Sequence, residues 1–582
     1  MKYRVSYAIA GLASVAALVV VLTPDVEGAK NLVKDAGVWV LWGIVGSFVV
    51  GVVQARAVLR RESWWNLRAA SLVLLLSGVA HLHYPHQFKV LADELVLVGI
   101  SRSIHEERQV AAPLALQDAA GAVKISYGYL DKRPYLFPFT VAFLHDLTGY
   151  RPANAFVLNA MLTPVFFYCL FLAGWKWSGT VWAGYIAVLM TAAIPLFAHN
   201  FTGAGFEVLN ATLILVLFLW ALMYSRTGAP ELQLGLVATA LLVAYTRYES
   251  VLYLVAVVGV VLWVELRERR YYLNPAVGAL VVLAIPLGCI FRAVASQKAQ
   301  FFQLADRGVQ TAFSWSYIPG NLPSALEFFF ADDHVQMASR WISIACLLGG
   351  LFAALEGVRI LRTSPRSIRW GAPLLIGVTV LANMLLLLSY HWGQLSDPLV
   401  SRLAIPFMIA SILATVWAAG RAKHARRVSL LLAGVAGFSI YASAIPVATK
   451  HSFARSYGPA REVETVQQFL REYSHPDMLV LTDRSLIWVC YGVWTEHING
   501  AVSGRALVEK WMRSGRYGRV YAVQRFDVEP VTGEMKLQDQ FRLPPEWETE
   551  EVVRRRLADL EVMVITRVIK AVPAPESQAT SD

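Results

Sequence analysis

The sequence predicts a polytopic α-helical membrane protein of about 13 spans, with its N-terminus inside and a small α/β domain at an extracytoplasmic C-terminus. Hydrophobic residues make up 56% of the 582 residues and charged residues only 16%, and the mean hydropathy is +0.49. A soluble chain of this length would carry more charge. Apolar runs recur as far as about residue 446, and from about residue 450 the composition becomes that of a soluble protein.

The predicted spans are apolar runs near the length of about 20 residues that crosses the bilayer core. They are 5–22, 37–58, 69–82, 153–174, 180–198, 206–224, 231–246, 250–266, 276–291, 340–361, 371–390, 404–420 and 428–446. The run 69–82 and the pair 231–246 and 250–266 are among those shorter than an upright crossing requires. The first run follows Lys2 and Arg4 as the core of a signal peptide would, but without a convincing cleavage site we expect it to remain as a span.

Orientation follows from the lysines and arginines of the short loops, because cytoplasmic loops are enriched in them. With the N-terminus inside, nineteen such residues fall in inner segments, whereas the short outer loops hold only Lys30, Lys34, Arg247 and Arg402. The long loops 83–152 and 292–339 are then both outside.

The first long loop has amphipathic stretches that predict helices on both sides of Pro113. Its later stretch 135–148 is apolar, but it is short and bounded by prolines, so we expect a helix that lies on the outer leaflet and covers the mouth of a cavity.

We divide the chain into a membrane domain over 1–449, a soluble α/β domain over 450–570 and a disordered tail over 571–582. Within the soluble domain, REVETVQQFLREY and ALVEKWMRSG predict helices, whereas DMLVLTD, RVYAVQRF and LEVMVITRVI predict strands.

Composition also excludes some classes of function. The net charge of +11 is explained by basic inner loops, and no basic segment is long or repeated, so nucleic-acid binding is not indicated. The four cysteines, Cys169, Cys289, Cys346 and Cys490, are scattered, and this pattern indicates neither a disulfide framework nor a cysteine metal site.

Charged residues beside the outer ends of the spans predict a site at one membrane face, because charges so close to apolar segments are costly unless they pair or function. They are Asp93, Glu94, Lys132, Arg133, Glu207, Arg247, Glu249, Arg292, Lys298, Arg307, His391, Asp397 and Arg402. Carboxylates together with several cations favour a substrate that carries an anionic group, and phosphate is the natural candidate.

The order of three short motifs resembles a known superfamily. An Asp-Glu pair (Asp93 and Glu94) opens the first large loop, a K-[RP]-P-x-L-x-P element starts at Lys132 about forty residues later, and Glu207 opens a later span. The K-[RP]-P-x-L-x-P element consists of Lys132, Arg133, Pro134, Leu136 and Pro138. This order is similar to that of GT-C polyprenyl-phosphate-sugar-dependent glycosyltransferases, in particular the protein mannosyltransferase and aminoarabinose transferase branch. The chain departs from the common pattern in having two spans before the one that leads into Asp93, and Arg133 in place of a proline.

The resemblance implies an inverting sugar transfer from a polyprenyl-phosphate donor to a lipid, glycan or protein acceptor at the outer face of an inner or plasma membrane. Asp93 would be the general base, with Glu94 or Glu207 orienting the acceptor. The phosphate ligands would come from Lys132, Arg133, Arg247, Lys298, Arg307 and Arg402. Since members differ in metal dependence, a divalent metal, if used, would bind to Asp93, Glu94 and Glu207.

Several alternatives remain open. A flippase of lipid-linked glycan would show charges on both the inner and outer halves of its spans, and a non-catalytic scaffold would not need Asp93. The histidines His81, His83 and His86 could hold zinc, although their spacing fits no helical i, i+4 pair. Arg247 with Glu249 could be only a structural ion pair, and Arg402 only a topological anchor.

Overall fold

The computed structural model describes residues 2–113, 115–119, 122–126, 130–269, 272–297, 304, 308–331, 337–363, 371–450 and 458–572. The helices up to residue 296 are α1 (Lys2–Leu22), α2 (Val26–Leu59), α3 (Leu67–His83), α4 (Leu91–Glu107), α5 (Leu136–Thr148), α6 (Asn154–Ser178), α7 (Val181–Ala192), α8 (Pro195–Phe201), α9 (Glu207–Thr227), α10 (Gln233–Ala244), α11 (Leu252–Glu268), α12 (Pro275–Leu280) and α13 (Ile285–Ser296).

The later part of the membrane domain is also helical. Its helices are α14 (Ile318–Phe330), α15 (Arg340–Thr363), α16 (Gly371–Leu388), α17 (Pro398–Ser401), α18 (Ile405–Arg421), α19 (Ala425–Ser439) and α20 (Ile445–Lys450). Short 3-10 turns precede α10, α11, α13, α14 and α18, and a π-helical turn joins α19 to α20.

The chain is a polytopic helical membrane protein. Within the described residues, eight helical segments are long and apolar enough to cross a membrane, or nine if the bent pair α7–α8 counts as one. Each of the thirteen predicted runs falls on helical residues, but α3, α10 and the apolar parts of α1 and α16 are shorter than a crossing requires. The number of spans and their orientation therefore stay predictions.

The predicted span 180–198 is broken. The axes of α7 and α8 differ by 78°, and the bend lies just before Pro195. Proline has no backbone N–H and cannot continue the ladder of an incoming helix. The next amide, that of Leu196, donates to the carbonyl of Met337, 2.9 Å away, which fixes the bend against another part of the bundle.

The first long loop differs from the prediction on one side of Pro113. Before the proline, α4 is the predicted helix, but after it the chain forms an antiparallel hairpin of β1 (Ala115–Ala119) and β2 (Ala122–Ser126). The second predicted helix is therefore wrong. The predicted stretch 135–148 is confirmed as a helix, α5, while its place on the outer leaflet remains a prediction.

The C-terminal region contains a mixed β-sheet. Its strands are β3 (Met478–Leu481), β4 (Trp494–Glu496), β5 (Arg519–Val528), β6 (Met535–Leu537), β7 (Glu548–Ala558) and β8 (Glu561–Lys570). The order is β4-β3-β5-β8-β7, with β6 also paired to β5; β3 is parallel to β4 and β5, and the other pairs are antiparallel. Its helices are α21 (Gly458–Tyr473), α22 (Ser485–Cys490), α23 (Ile498–Ser503) and α24 (Arg505–Arg513).

Helix α22 joins this region to α4. The Arg102 guanidinium donates to the carbonyl of Val489, and the Tyr150 hydroxyl donates to the carbonyl of Cys490. Both donor–acceptor distances are 2.8 Å. Trp488 is fully buried in a core that also contains Leu95 of α4. The C-terminal region thus holds α4 through α22. The first turn of α4 instead contacts other parts of the membrane domain.

A candidate active site built on paired charges

The first turn of α4 carries both Asp93 and Glu94, where acidic side chains are favoured by the exposed amides of a helix N-terminus. The residue before the helix, Val90, provides no side-chain cap. Glu94 serves instead: its Oε2 accepts from the amides of Val90, at 3.0 Å, and Lys89. This satisfies the amide of the N-cap residue, as a capping box does, and also the amide of the residue before it.

The other oxygen of Glu94 fixes the loop that leads into α9. Its Oε1 accepts from the Ala204 amide at 2.7 Å, and a Cβ atom at Gly203 would come within 2.9 Å of the same oxygen. The buried Asn159 amide donates to the carbonyls of Gly203 and Gly205, both at 2.9 Å. Only glycine permits this close approach at residue 203, so the sequence Thr-Gly-Ala-Gly sets where Glu207 emerges.

Arg402 connects three separate parts of the chain. Its Nη2 pairs with Oδ2 of Asp93, its Nη1 donates to Oε1 of Glu207 at 2.7 Å, and its Nε donates to the carbonyl of Leu399 at 3.0 Å. The side chains of Arg402, Asp93 and Glu207 are only 12%, 19% and 4% exposed. Arginine suits this role because its planar group offers donors in several fixed directions.

The pairing extends in both directions from Arg402. On one side, Oδ1 of Asp93 pairs with Arg133, whose Nη1 also lies 2.7 Å from Oδ1 and 2.8 Å from Oδ2 of Asp131. On the other side, Glu207 lies 3.5 Å from Arg247, and Arg247 donates through Nε to Glu249. We call this alternating series the charge chain. Its members in order are Asp131, Arg133, Asp93, Arg402, Glu207, Arg247 and Glu249.

The environment shifts the pKa values of the two adjacent acids in opposite directions. Burial alone would raise the pKa of Asp93, but Arg133 and Arg402 hold it well below its usual range. Burial raises the pKa of Glu94 to about 7, with the nearby charge of Glu207 adding to the effect and the backbone amides opposing it. Burial also lowers the pKa of the neighbouring Lys132. At neutral pH Asp93 is therefore ionised and held by two guanidinium groups.

An apolar groove begins near Arg402. It encloses about 790 Å³ and is lined by α18 from Pro406 to Trp417, by α15, by α16 and by Phe329 and Phe330 at the end of α14. At 1.5 Å per residue, the lining part of α18 extends about 16 Å along the helix. Arg402 lies one turn before this stretch, so a charged headgroup and an apolar tail could be bound side by side.

The structure brings together most of the side chains that were predicted from the sequence. Asp93, Arg133, Glu207, Arg247 and Arg402 are in the charge chain, and Lys132 lies beside it. Glu94 is adjacent but faces backbone amides. Lys298 and Arg307 lie outside the described residues.

Two residues of the site were not singled out from the sequence. Asp131 immediately precedes Lys132 and Arg133, and an acid inside a basic motif is a signal for pairing. Asn159 is a polar residue inside an otherwise apolar span, which is a signal for a buried hydrogen bond.

The three carboxylates considered for a metal do not fit one. Asp93 and Glu207 face the same arginine, and Glu94 is satisfied by three amides. No group of three or more His, Cys, Asp or Glu side chains with metal-ligand geometry occurs in the part of the chain that the structure describes. Nδ1 of His81 instead lies 3.0 Å from Nε2 of His86, and Nε2 of His81 lies 3.1 Å from the hydroxyl of Thr163.

The fold is similar to that of a solved protein, ArnT from Cupriavidus metallidurans. ArnT from Cupriavidus metallidurans bound to undecaprenyl phosphate superimposes with a TM-score of 0.53 and 13% identity, covering 86% of this chain and 97% of that one. Its apo state gives a TM-score of 0.50 at 12% identity with the same coverage. The oligosaccharyltransferase of Archaeoglobus fulgidus gives 0.45 at 11% identity over 82% and 74% of the two chains. No protein-family model matches the sequence, and no curated protein matches it significantly. The resemblance expected from the sequence is confirmed at the level of the fold, through the similarity to ArnT.

Proposed function

We propose that this protein is a membrane glycosyltransferase that moves a sugar from a polyprenyl phosphate to an acceptor hydroxyl on the extracytoplasmic face. The observation that carries the proposal is that Arg402, at the centre of the charge chain, lies one turn before the stretch of α18 that lines the apolar groove. Such a site suits a ligand with an anionic head and a hydrocarbon tail. The ArnT structure with undecaprenyl phosphate, which has the same fold, supports a donor of this class.

The reaction is a displacement at the anomeric carbon of the donor sugar. The acceptor oxygen forms a bond to that carbon, the bond from the carbon to the phosphate oxygen breaks, and the configuration inverts. Asp93 takes the proton of the acceptor hydroxyl, and the bonding electrons leave with the lipid phosphate. Cations at the head of the groove stabilise that leaving group, and the best placed are Arg402, Arg133 and Lys132.

The remaining acids have supporting roles in this proposal. Glu207 orients Arg402 and the acceptor, while Glu94 fixes the first turn of α4 against the loop before α9 so that Asp93 faces Arg402. Arg247 holds Glu207 from the other side and stacks over the ring of Phe206, 4.9 Å away. The C-terminal domain holds α4 through Arg102 and contributes to the acceptor side.

The direct test is a transfer assay on purified protein in lipid nanodiscs. Radiolabelled polyprenyl-phosphate sugars would be supplied with a membrane fraction as the source of acceptors. We expect label to move to an acceptor together with release of polyprenyl phosphate. If the protein instead moves intact lipid-linked sugar between leaflets without breaking the glycosidic bond, it is a flippase.

Orientation is testable with single cysteines in a background that lacks the four native ones. We expect Asn499→Cys to react with an impermeant thiol reagent in cells whose outer membrane has been permeabilised, because the C-terminal domain lies outside. Lys423→Cys, in the loop between α18 and α19, should react only after the inner membrane is opened. Both positions are exposed. The reverse pattern would contradict the proposed site on the outer face.

Lys132 is a predicted phosphate ligand that can be tested through the donor. Lys132→Ala should weaken donor use by roughly 2–5 kcal/mol if it removes one partner of a buried charge contact. The KM for donor should rise much more than the KM for acceptor. Lys536→Ala, on an exposed position of β6 in the C-terminal domain, is the matched control. Unchanged donor dependence in Lys132→Ala would assign this lysine to the structure of its loop.

A further inference from the structure

The cations that should bind the donor phosphate are already paired with protein acids. Each of the three guanidinium nitrogens of Arg402 has a protein acceptor, namely Asp93, Glu207 and the carbonyl of Leu399. Arg133 is shared between Asp93 and Asp131 in the same way. Both oxygens of Asp93 are thus engaged by arginines before any donor is present.

This arrangement is close to electrically neutral. The four carboxylates of the charge chain are balanced by its three guanidinium groups and the ammonium group of Lys132. Its central members are largely buried, where the interaction between charges is only weakly screened. An additional phosphate charge is therefore unfavourable unless it replaces a carboxylate as the partner of an arginine, or unless a carboxylate takes up a proton.

We propose that the donor phosphate and the Asp93 carboxylate compete for Arg402 and Arg133, so that donor binding releases Asp93 to act as the base. The inference rests on the proposed function and concerns the regulation of the same site. Without donor, the carboxylate is neutralised by two guanidinium groups and has little affinity for a proton. Once the phosphate takes those groups, Asp93 is left in a poorly solvated position where gaining the acceptor's proton restores neutrality.

The mechanism has a kinetic consequence. The acceptor hydroxyl is activated only when donor is in place, so an acceptor that binds first stays unreactive until the donor arrives. Arg402 and Arg133 stabilise the departing phosphate, and the same two arginines release Asp93 when they bind the donor. Donor binding therefore prepares both the leaving group and the base.

The test is the affinity for a polyprenyl phosphate without sugar, measured by titration into protein in nanodiscs. Competition predicts that Asp93→Asn binds the lipid about tenfold more tightly than the parent, because the amide no longer competes as an anion for the arginines. Glu207→Gln should also bind more tightly, since it releases Arg402 from its other acid. This second variant tests the same competition if Asp93→Asn proves unstable.

The matched control is Asp146→Asn. Asp146 also pairs with an arginine, 2.7 Å from Arg108, but it lies outside the charge chain, so its lipid affinity should equal that of the parent. Inorganic phosphate provides a second ligand with the headgroup alone: tightening seen with both ligands assigns the effect to the headgroup, and tightening with the lipid only would overturn headgroup competition.

The outcomes separate this inference from the proposed function. If the parent protein binds polyprenyl phosphate and transfers sugar, but Asp93→Asn and Glu207→Gln bind it equally or more weakly, the competition is refuted while the function stands. If the parent neither binds the lipid nor transfers sugar, both are refuted.

Discussion

Replacing Asp93 by asparagine should lower the turnover of sugar transfer by at least about 10²-fold, because asparagine keeps the shape of the side chain but cannot take a proton. The fold should tolerate the change. Arg133 retains Asp131 and Arg402 retains Glu207 as partners, so neither guanidinium group is left without an acid. The measurement is donor consumption at saturating donor and acceptor, with a thermal melt of the same preparation.

Asp146→Asn is the control for this change as well, since it neutralises another arginine-paired aspartate and should keep the parent turnover. Turnover of Asp93→Asn at the parent rate, with the same melting temperature, would place the base elsewhere, and Glu207 would be the next carboxylate to replace. Reduced turnover with tighter binding of polyprenyl phosphate is the combination expected for a base that shares its arginines with the donor.

Replacing Arg402 by alanine should abolish donor-dependent transfer and also destabilise the protein. Without this cation, Asp93 and Glu207 lose their common partner, and breaking a largely buried charge pair costs about 3–5 kcal/mol of folding free energy. The leaving phosphate loses its best-placed ligand at the same time. Arg402→Lys restores the charge but not the planar fork, so it should recover stability only in part and activity less.

Arg267→Ala is a suitable control, because Arg267 lies in the last turn of α11, pairs with Glu268 at 3.2 Å and belongs neither to the charge chain nor to the lining of the groove. Melting temperature and the dissociation constant for polyprenyl phosphate should both be measured for each variant. If Arg402→Ala matches the parent in both, Arg402 is only a topological anchor, which is the alternative that the sequence left open.

The sequence was most informative about the membrane helices. Each of the thirteen apolar runs falls on helical residues, because burial in lipid or in a helix bundle selects apolar side chains over several turns. The bend before Pro195 was not predicted, because it depends on a tertiary hydrogen bond to Met337 that no local pattern contains. The hairpin after Pro113 was missed since its residues also fit an amphipathic helix.

The C-terminal sheet shows a different limit. Strands β3, β5 and β8 were predicted from continuous apolar runs, which are typical of buried strands. Strand β7 was missed, because its sequence ETEEVVRRRLA is rich in charge and most of its side chains are exposed. It lies at the edge of the sheet, paired only with β8, where charged side chains discourage pairing with other chains.

At the candidate site, the sequence predicted the residues but not their pairing. Asp93 and Arg402 are more than three hundred positions apart, and a charge beside an apolar run does not identify its partner. Asp93 and Glu94 are adjacent acids, and only the resemblance gave them different roles, Asp93 as the base and Glu94 as an acid that orients the acceptor. The structure shows that they differ in their partners. Asp93 faces guanidinium groups, whereas Glu94 accepts hydrogen bonds from backbone amides at the start of α4.

The alternating order of the charge chain also limits how this protein can change during evolution. Loss of any one member leaves a neighbouring opposite charge without part of its compensation, so single substitutions should be strongly epistatic, and their costs should not add. Neutralising an adjacent acid and base together removes both sides of a pair, and the double change should cost less than the sum of the two single changes. We therefore expect substitutions at these seven residues to occur in pairs of opposite charge, although the residues lie in five distant segments of the sequence.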